Sequence, residues 1–238
     1  MEEQVFDRVE KKYLLTNPQK KSLLHIIKKN MKKDEYHKST VMNLYFDTNN
    51  YDLIIQSIDS HTFKEKLRAR SYEGYDRVFL EIKTKLYTTD NNLGYKRRVM
   101  ITHDDFDKLI NHQATLTELA SQSVEKTNDL QIAKEIDYLI SHFDLRPMIF
   151  VSYNRESYKT DDNLRITFDE RLRFRHHDLC FNKTKHDKIY FKDKPNIIME
   201  VKAPGVIPLW LSNEMTKLGV YPRQFSKIGR IYERIIKE

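Results

Sequence analysis

Along this chain the apolar positions recur with two periods, and the changeovers between them mark out the elements. VFDRVEKKYLL, Val5 to Leu15, alternates as a strand does when one face is covered, with Arg8, Glu10 and Lys12 on the polar side. Asn17-Pro18 opens an amphipathic helix to about Lys33, with Leu23, Leu24, Ile26, Ile27 and Met31 as its apolar stripe. VMNLYFD, Val41 to Asp47, predicts a second strand ended by Thr48-Asn49-Asn50, and a short apolar helix or turn follows over Tyr51 to Ile58. Phe63 to Lys85, FKEKLRARSYEGYDRVFLEIKTK, predicts a hairpin turning at Glu73-Gly74-Tyr75-Asp76. Lys64, Lys66, Arg68 and Arg70 share one face of its first strand; in the second, Arg77, Phe79, Glu81, Lys83 and Lys85 oppose Val78, Leu80 and Ile82.

A polar loop, Thr88 to Leu93, leads to a strand over Gly94 to Thr102 that carries Lys96, Arg97 and Arg98. Thr102-His103-Asp104-Asp105 has the composition of a helix N-terminus, and helical and linking segments run from there to about His142. Strands resume over Leu145 to Tyr158, with Tyr153, Arg155 and Ser157 opposite Phe150, Ser152 and Asn154. Between Asn163 and Arg175, Arg165, Thr167, Asp169, Arg171 and Arg173 face one way and Leu164, Ile166, Phe168, Leu172 and Phe174 the other, Glu170 being the exception. Asn196 to Lys202 sets Glu200 and Lys202 against Ile197, Met199 and Val201; helices over Pro208 to Leu218 and Ser226 to Lys237 complete the chain.

The pattern is α+β: about eight strands with helices on the outside, for which a barrel is feasible. Helices with apolar stripes must pack on something, and the apolar strand faces are the available partner. The charged faces then point inward and line a lumen with cations and a few carboxylates. Burial of so many like charges is prohibitive unless water, acidic residues, metal or an anionic ligand balances them, so the pattern predicts a polyphosphorylated ligand.

Composition narrows the class. The chain has 238 residues, long enough for a substantial core, and its net charge of +7 favours a polyanionic partner. Mean hydropathy is −0.71, yet 14 Tyr, 12 Phe and one Trp argue against disorder. The single Cys180 excludes an internal disulfide framework and suits a reducing compartment. With no basic-then-apolar leader and no apolar run of membrane-spanning length, a soluble cytoplasmic protein of one domain, 1–238, is expected. His176-His177 lacks ligand spacing, and no glycine-rich phosphate loop is present.

Eight segments in order carry a family resemblance: R-x-E-x-K at Arg8–Lys12, NLYFDT at Asn43–Thr48, KLRAR at Lys66–Arg70, LEIKTK at Leu80–Lys85, YNRESY at Tyr153–Tyr158, LRITFDERL at Leu164–Leu172, IIMEVKAPG at Ile197–Gly205 and FSKIGR at Phe225–Arg230. Together they resemble the VTC domain, the polyphosphate polymerase module of the vacuolar transporter chaperone complex, within the triphosphate tunnel metalloenzymes. The resemblance implies an eight-stranded antiparallel tunnel with helices outside it. It implies that Arg68, Arg70, Lys83, Arg155, Arg165 and Lys227 act on the transferred phosphates. Arg8, Lys12, Lys66, Lys96, Arg98, Tyr153, Lys202 and Ser226 would bind substrate. Glu200 would hold Mn²⁺ or Mg²⁺, with Glu10, Glu81 and Asp169 as candidate second ligands. Arginine suits bidentate phosphate contacts, and a helix N-terminus at Ser226-Lys227 attracts phosphate.

Relatives of the CYTH branch begin E-x-E-x-K, whereas this chain has Arg8 first. That exchange removes a carboxylate and adds a phosphate contact, which tilts the reading from hydrolase to polymerase. The implied activity is transfer of the γ-phosphate of ATP to inorganic polyphosphate or pyrophosphate. The alternatives are a triphosphatase or NTPase of the same fold, and a non-catalytic polyphosphate- or RNA-binding module. Nucleic acid is the weaker partner, because stacking aromatics are sparse on the charged faces. A membrane partner protein stays open by analogy with the eukaryotic complex.

Overall fold

In a computed structural model of the chain, residues 8–59, 62–87, 92–122, 127–181, 187–191 and 196–237 are described. Residues 5–7 of the first expected strand, 88–91 of the expected polar loop and 123–126 of the linking region lie outside them.

The elements run β1 (Arg8–Leu15), α1 (Asn17–Asn30), β2 (Lys32–Asp47), α2 (Asp52–Ile58), β3 (Phe63–Tyr72), β4 (Val78–Tyr87) and β5 (Asn92–Ile101). Then come α3 (His103–Ile110), α4 (Leu116–Gln122), α5 (Thr127–His142), β6 (Arg146–Lys159), β7 (Arg165–Arg175), β8 (Lys188–Ile189), β9 (Ile197–Pro204), α6 (Leu209–Lys217) and α7 (Lys227–Ile235). Hydrogen bonding links the strands in the order β1-β9-β7-β6-β2-β3-β4-β5, with the two-residue β8 beside β7. The expected α+β architecture of a large antiparallel sheet with helices is present, and β8 is the strand that hydrophobic alternation did not reveal.

The chain forms two compact units. Unit one takes Met1–Thr40, Tyr153–Arg173 and Ile189–Ser226. Its core packs Leu15 of β1, Ile166 and Phe168 of β7, and Met199 and Val201 of β9 with Leu23 and Ile27 of α1 and Leu211 and Met215 of α6. Unit two takes Val41–Ser152, Phe174–Lys188 and Lys227–Glu238. There Leu67, Ala69, Leu80, Ile82 and Val99 of β3 to β5 meet Phe106 of α3, Leu119 of α4 and Ile136 of α5. Within each unit the apolar strand faces turn toward helices, as the stripes require. Among the described residues no helix is long and apolar enough to cross a membrane.

Three expectations are corrected. The first helix stops at Asn30 rather than near Lys33, and the next strand begins at Lys32 rather than Val41. Asn30 turns back to donate to the Ile26 carbonyl (2.8 Å), which satisfies a carbonyl at the helix end. The added strand segment, KKDEYHKST, has almost no apolar residues, so its alternation carried no hydrophobic signal. Its Asp34 and His37 instead make polar contacts, to Arg165 (3.0 Å) and to the Ser157 carbonyl (2.8 Å).

The third correction concerns β7. Glu170 keeps the alternation and faces α1, where Lys20 binds it at 2.6 Å and Glu156 at 2.8 Å. Arg171 then has φ 51, a left-handed conformation inside the strand, and the alternation breaks there. Asn154 and Arg155 are neighbours on β6 and point to opposite faces. Arg155 pairs with Asp169 while Asn154 accepts from Arg173 (3.1 Å), so Asp169 and Arg173 face opposite ways instead of sharing one.

At the end of β2, Asp47 is wholly buried and organises α2. Tyr51 precedes that helix with φ 61 and supplies no side-chain cap. Asp47 takes over: its carboxylate accepts the backbone N–H groups of Thr48 (2.8 Å), Leu53 (2.9 Å) and Ile54 (2.9 Å). Asp47→Ala therefore strands helix-end donors and is expected to cost roughly 2 kcal/mol in urea unfolding. A change below about 0.5 kcal/mol, the range of ordinary surface substitutions, would contradict this role.

Candidate phosphate-binding site

The register of β2 to β5 builds a charged face in unit two. Tyr45 of β2 pairs with Arg68, Arg68 with Glu81, and Glu81 with Arg98. On one side of that row Asn43, Arg70, Phe79 and Met100 align; on the other, Lys66, Lys83 and Lys96. Alternation puts all of these on the face away from Leu67, Ala69, Leu80 and Ile82. Arg68, Arg70, Lys66, Lys83, Lys96 and Arg98, named from sequence, are thus brought together.

Glu81 is the pivot. It is 1% exposed, and it accepts from Arg68 Nε (2.8 Å) and Arg68 Nη2 (2.6 Å) and pairs with Lys96 Nζ (2.5 Å). Burial pushes its carboxyl up, but Arg68, Arg70 and Lys96 outweigh burial and bring it down to about 2. Glu81 therefore stays ionised and balances cations, with both oxygens engaged by them. Lys96 is shifted down, first by burial and then by Arg70 and Arg68, against the pull of Glu81. Asn43 sets Arg70: its Oδ1 accepts from Arg70 Nε (2.9 Å) while its Nδ2 donates to the Val151 carbonyl (3.2 Å).

Tyr45 is the residue that sequence reasoning missed here. Its hydroxyl accepts from Arg68 Nη1 at 3.4 Å and the side chain is 8% exposed. Burial would raise the phenol, but Arg68, Lys66 and Arg70 overcome it and lower it to about 8. The signal lay in NLYFDT, where Asn43, Tyr45 and Asp47 alternate with Leu44 and Phe46.

Unit one carries a second charged face. Glu10 aligns with Lys202 and Arg165, and Lys12 with Glu200 and Thr167. Lys202 lies 3.1 Å from Glu200 and 3.5 Å from Glu10. Lys12 lies 3.8 Å from Glu10 and donates to the Phe225 carbonyl (3.2 Å). Arg155 grips Asp169 with two bonds, of 2.7 and 2.8 Å, and lies over the Tyr153 ring at 5.2 Å. Burial opposes the Arg155 charge, yet Tyr153, Asp169 and Glu200 hold it firmly protonated. Arg165 sits half exposed, paired with Asp34 beside Lys159, a carboxylate that sequence reasoning also missed. Lys227 opens α7 directly after Ser226. The side chain of Arg8 lies outside the described residues.

Among the described residues no group of three or more His, Cys, Asp or Glu forms a metal cage. The donor set suits a different kind of site. Mg²⁺ and Mn²⁺ in phosphoryl-transfer enzymes take one or two protein carboxylates plus phosphate oxygens. Glu200 and Glu10, drawn to one ammonium by Lys202, form such a pair.

The chain matches the VTC domain over residues 7–234. Its structure resembles a Hippeastrum protein, named as a candidate adenylyl cyclase, that has a dominant triphosphatase activity, at 14% identity and a TM-score of 0.54 over 93% of each chain. It also resembles a Vibrio parahaemolyticus protein named as a candidate adenylate cyclase, at 11% identity and a TM-score of 0.47 over 97% of this chain and 98% of that one. At such identity the first likeness gives the fold, that of the triphosphate tunnel proteins, and leaves the reaction open.

Two titrations check the electrostatics of unit two. Tyr45 is expected to ionise near pH 8 by its absorbance at 295 nm, and Tyr45→Phe removes that step; a step that persists in the variant would contradict the assignment. Glu81 has a depressed folded value, so its contribution to stability is full above the ordinary 4.5 and is lost as pH falls toward about 2. The stability gap between the protein and Glu81→Gln should shrink over that window; a gap that widens there would contradict the assignment.

Proposed function

The chain belongs to the VTC domain family, and from that premise we propose that it is a polyphosphate polymerase that moves the γ-phosphate of ATP onto a growing polyphosphate chain. The observation that carries this reading is the unit-two face, where the register sets Lys66, Arg68, Arg70, Lys83, Lys96 and Arg98 around the buried carboxylate of Glu81. Such an excess of fixed positive charge suits the oxygens of a triphosphate. Arg68 and Arg70 arrive pre-oriented, by Glu81 and Asn43, so little ordering remains to be done when phosphate binds.

The chemistry needs alignment and charge more than a base. The terminal oxygen of the acceptor is already anionic; it forms the new P–O bond as the bond between the γ-phosphorus and the bridging oxygen breaks. ADP leaves with that electron pair. Arg68, Arg70 and Lys83 would neutralise charge on the equatorial and leaving oxygens. In unit one, Lys12, Arg155, Arg165, Lys202 and Ser226 would bind phosphates, with Tyr153 as hydroxyl donor; in unit two, Lys227 at the α7 N-terminus would do the same. Glu200, with Glu10, would hold a divalent ion, which when bound draws charge from phosphate oxygens. Glu81 and Asp169 serve as charge balancers in this reading, since their oxygens are engaged by Arg68, Lys96 and Arg155.

The triphosphatase activity of the Hippeastrum relative favours a second reading, in which water replaces the polyphosphate acceptor. Products separate the two. Incubation with ATP and Mn²⁺ is expected to give long-chain polyphosphate and ADP in matched amounts, whereas free phosphate without polymer establishes the hydrolase. Arg70→Ala is expected to lower kcat/KM about 100-fold or more while the fold is retained. Full activity in the folded variant would overturn the clamp.

A further inference from the structure

The unit-two face does not end at its cations. Two residues along the strands from the Arg68–Glu81–Arg98 row, the next row sets Phe79 between Arg70 and Met100. Two aromatic rings stand beside it: Tyr72 lies edge-on to Phe79 at 6.4 Å and to Tyr75 at 6.5 Å, and Tyr75 lies within 10° of parallel to Phe79 at 6.3 Å. The Arg98 guanidinium sits over the Phe79 ring at 4.9 Å. Tyr75 is 44% exposed and Met100 36% exposed, so flat apolar surface is open to solvent beside the clamp.

The turn fixes this arrangement. Tyr75 N–H donates to the Tyr72 carbonyl at 3.0 Å, and Gly74 has φ 78, a conformation glycine adopts without strain. Tyr75 is thereby held over the hairpin end by a tight turn. Cross-strand aromatic packing alone would steady the hairpin. It does not account for an exposed ring parallel to Phe79 on the side that carries phosphate-binding cations. Adjacent same-face positions on a strand are about 6.8 Å apart. That spacing matches the single ribose that separates the phosphates of a nucleotide from its base.

We propose that Tyr72, Tyr75 and Phe79 form a stacking platform for the base of a nucleoside triphosphate whose phosphates lie on Arg68, Arg70 and Arg98. The inference rests on the phosphate clamp of the proposed function and adds to it the surface that would hold the base of the nucleotide. Aromatic faces stack on any base, so the platform selects nucleotides as a class without choosing among bases.

Calorimetric binding of ATP and of inorganic tripolyphosphate, without metal, tests it on the intact chain. Tyr75→Ala is expected to weaken ATP roughly five- to a hundred-fold and to leave tripolyphosphate unchanged, with affinity kept in Tyr75→Trp. The unchanged tripolyphosphate affinity doubles as the control for folding. ATP affinity unaltered in Tyr75→Ala, or both ligands weakened alike, would overturn the platform while leaving the clamp standing. No binding of either ligand to the unmutated protein would overturn both.

Discussion

A carboxylate that is 1% exposed yet held ionised is the constraint on which the unit-two face depends. Without Glu81, Arg68 and Lys96 would face each other and Arg70 with no fixed counter-charge, in a setting where burial alone already lowers the lysine. With it, Arg68 is locked by two bonds and Lys96 by one, and the register gathers Lys66, Arg70, Lys83 and Arg98 on the same face. Among the described strand positions of that face, cations outnumber carboxylates. The imbalance is what a triphosphate would complete.

The same logic recurs in unit one with different geometry. Asp169 is fully covered and spends both oxygens on Arg155, while Lys202 draws Glu200 and Glu10 together without burying them. The first arrangement fixes an arginine. The second leaves the Glu10 side chain 34% and the Glu200 side chain 13% exposed, and on the proposed function these two would share an ion with phosphate. Family membership and these two kinds of carboxylate fit one chemistry, in which positioned charge does most of the work.

Much of this was legible in the chain because strands with one covered face alternate strictly. Lys66, Arg68 and Arg70, and Glu81 with Lys83, could be placed on one face by counting residues, and the register then brought them together. What alternation missed has physical causes. Residues 32–40 contain hardly an apolar side chain, so the strand that holds Asp34 and His37 by polar contacts was legible only from Val41 onward. Arg171 takes a left-handed backbone, and beyond it Arg173 reaches Asn154 instead of sharing the face of Asp169. Tyr45 reads as a core aromatic in NLYFDT, and only the register, which sets it opposite Arg68, exposes its electrostatic role.

On the proposed function, a polyphosphate completes the charge of the unit-two face and stabilises the folded protein. Thermal unfolding at low salt, with and without inorganic tripolyphosphate, tests it most directly. A ligand at about 100 times its Kd adds about 2.7 kcal/mol to the folded state. For a chain of this size that predicts a rise in Tm of roughly 5–10 °C, reversed by high salt. No rise at saturating tripolyphosphate would contradict the account.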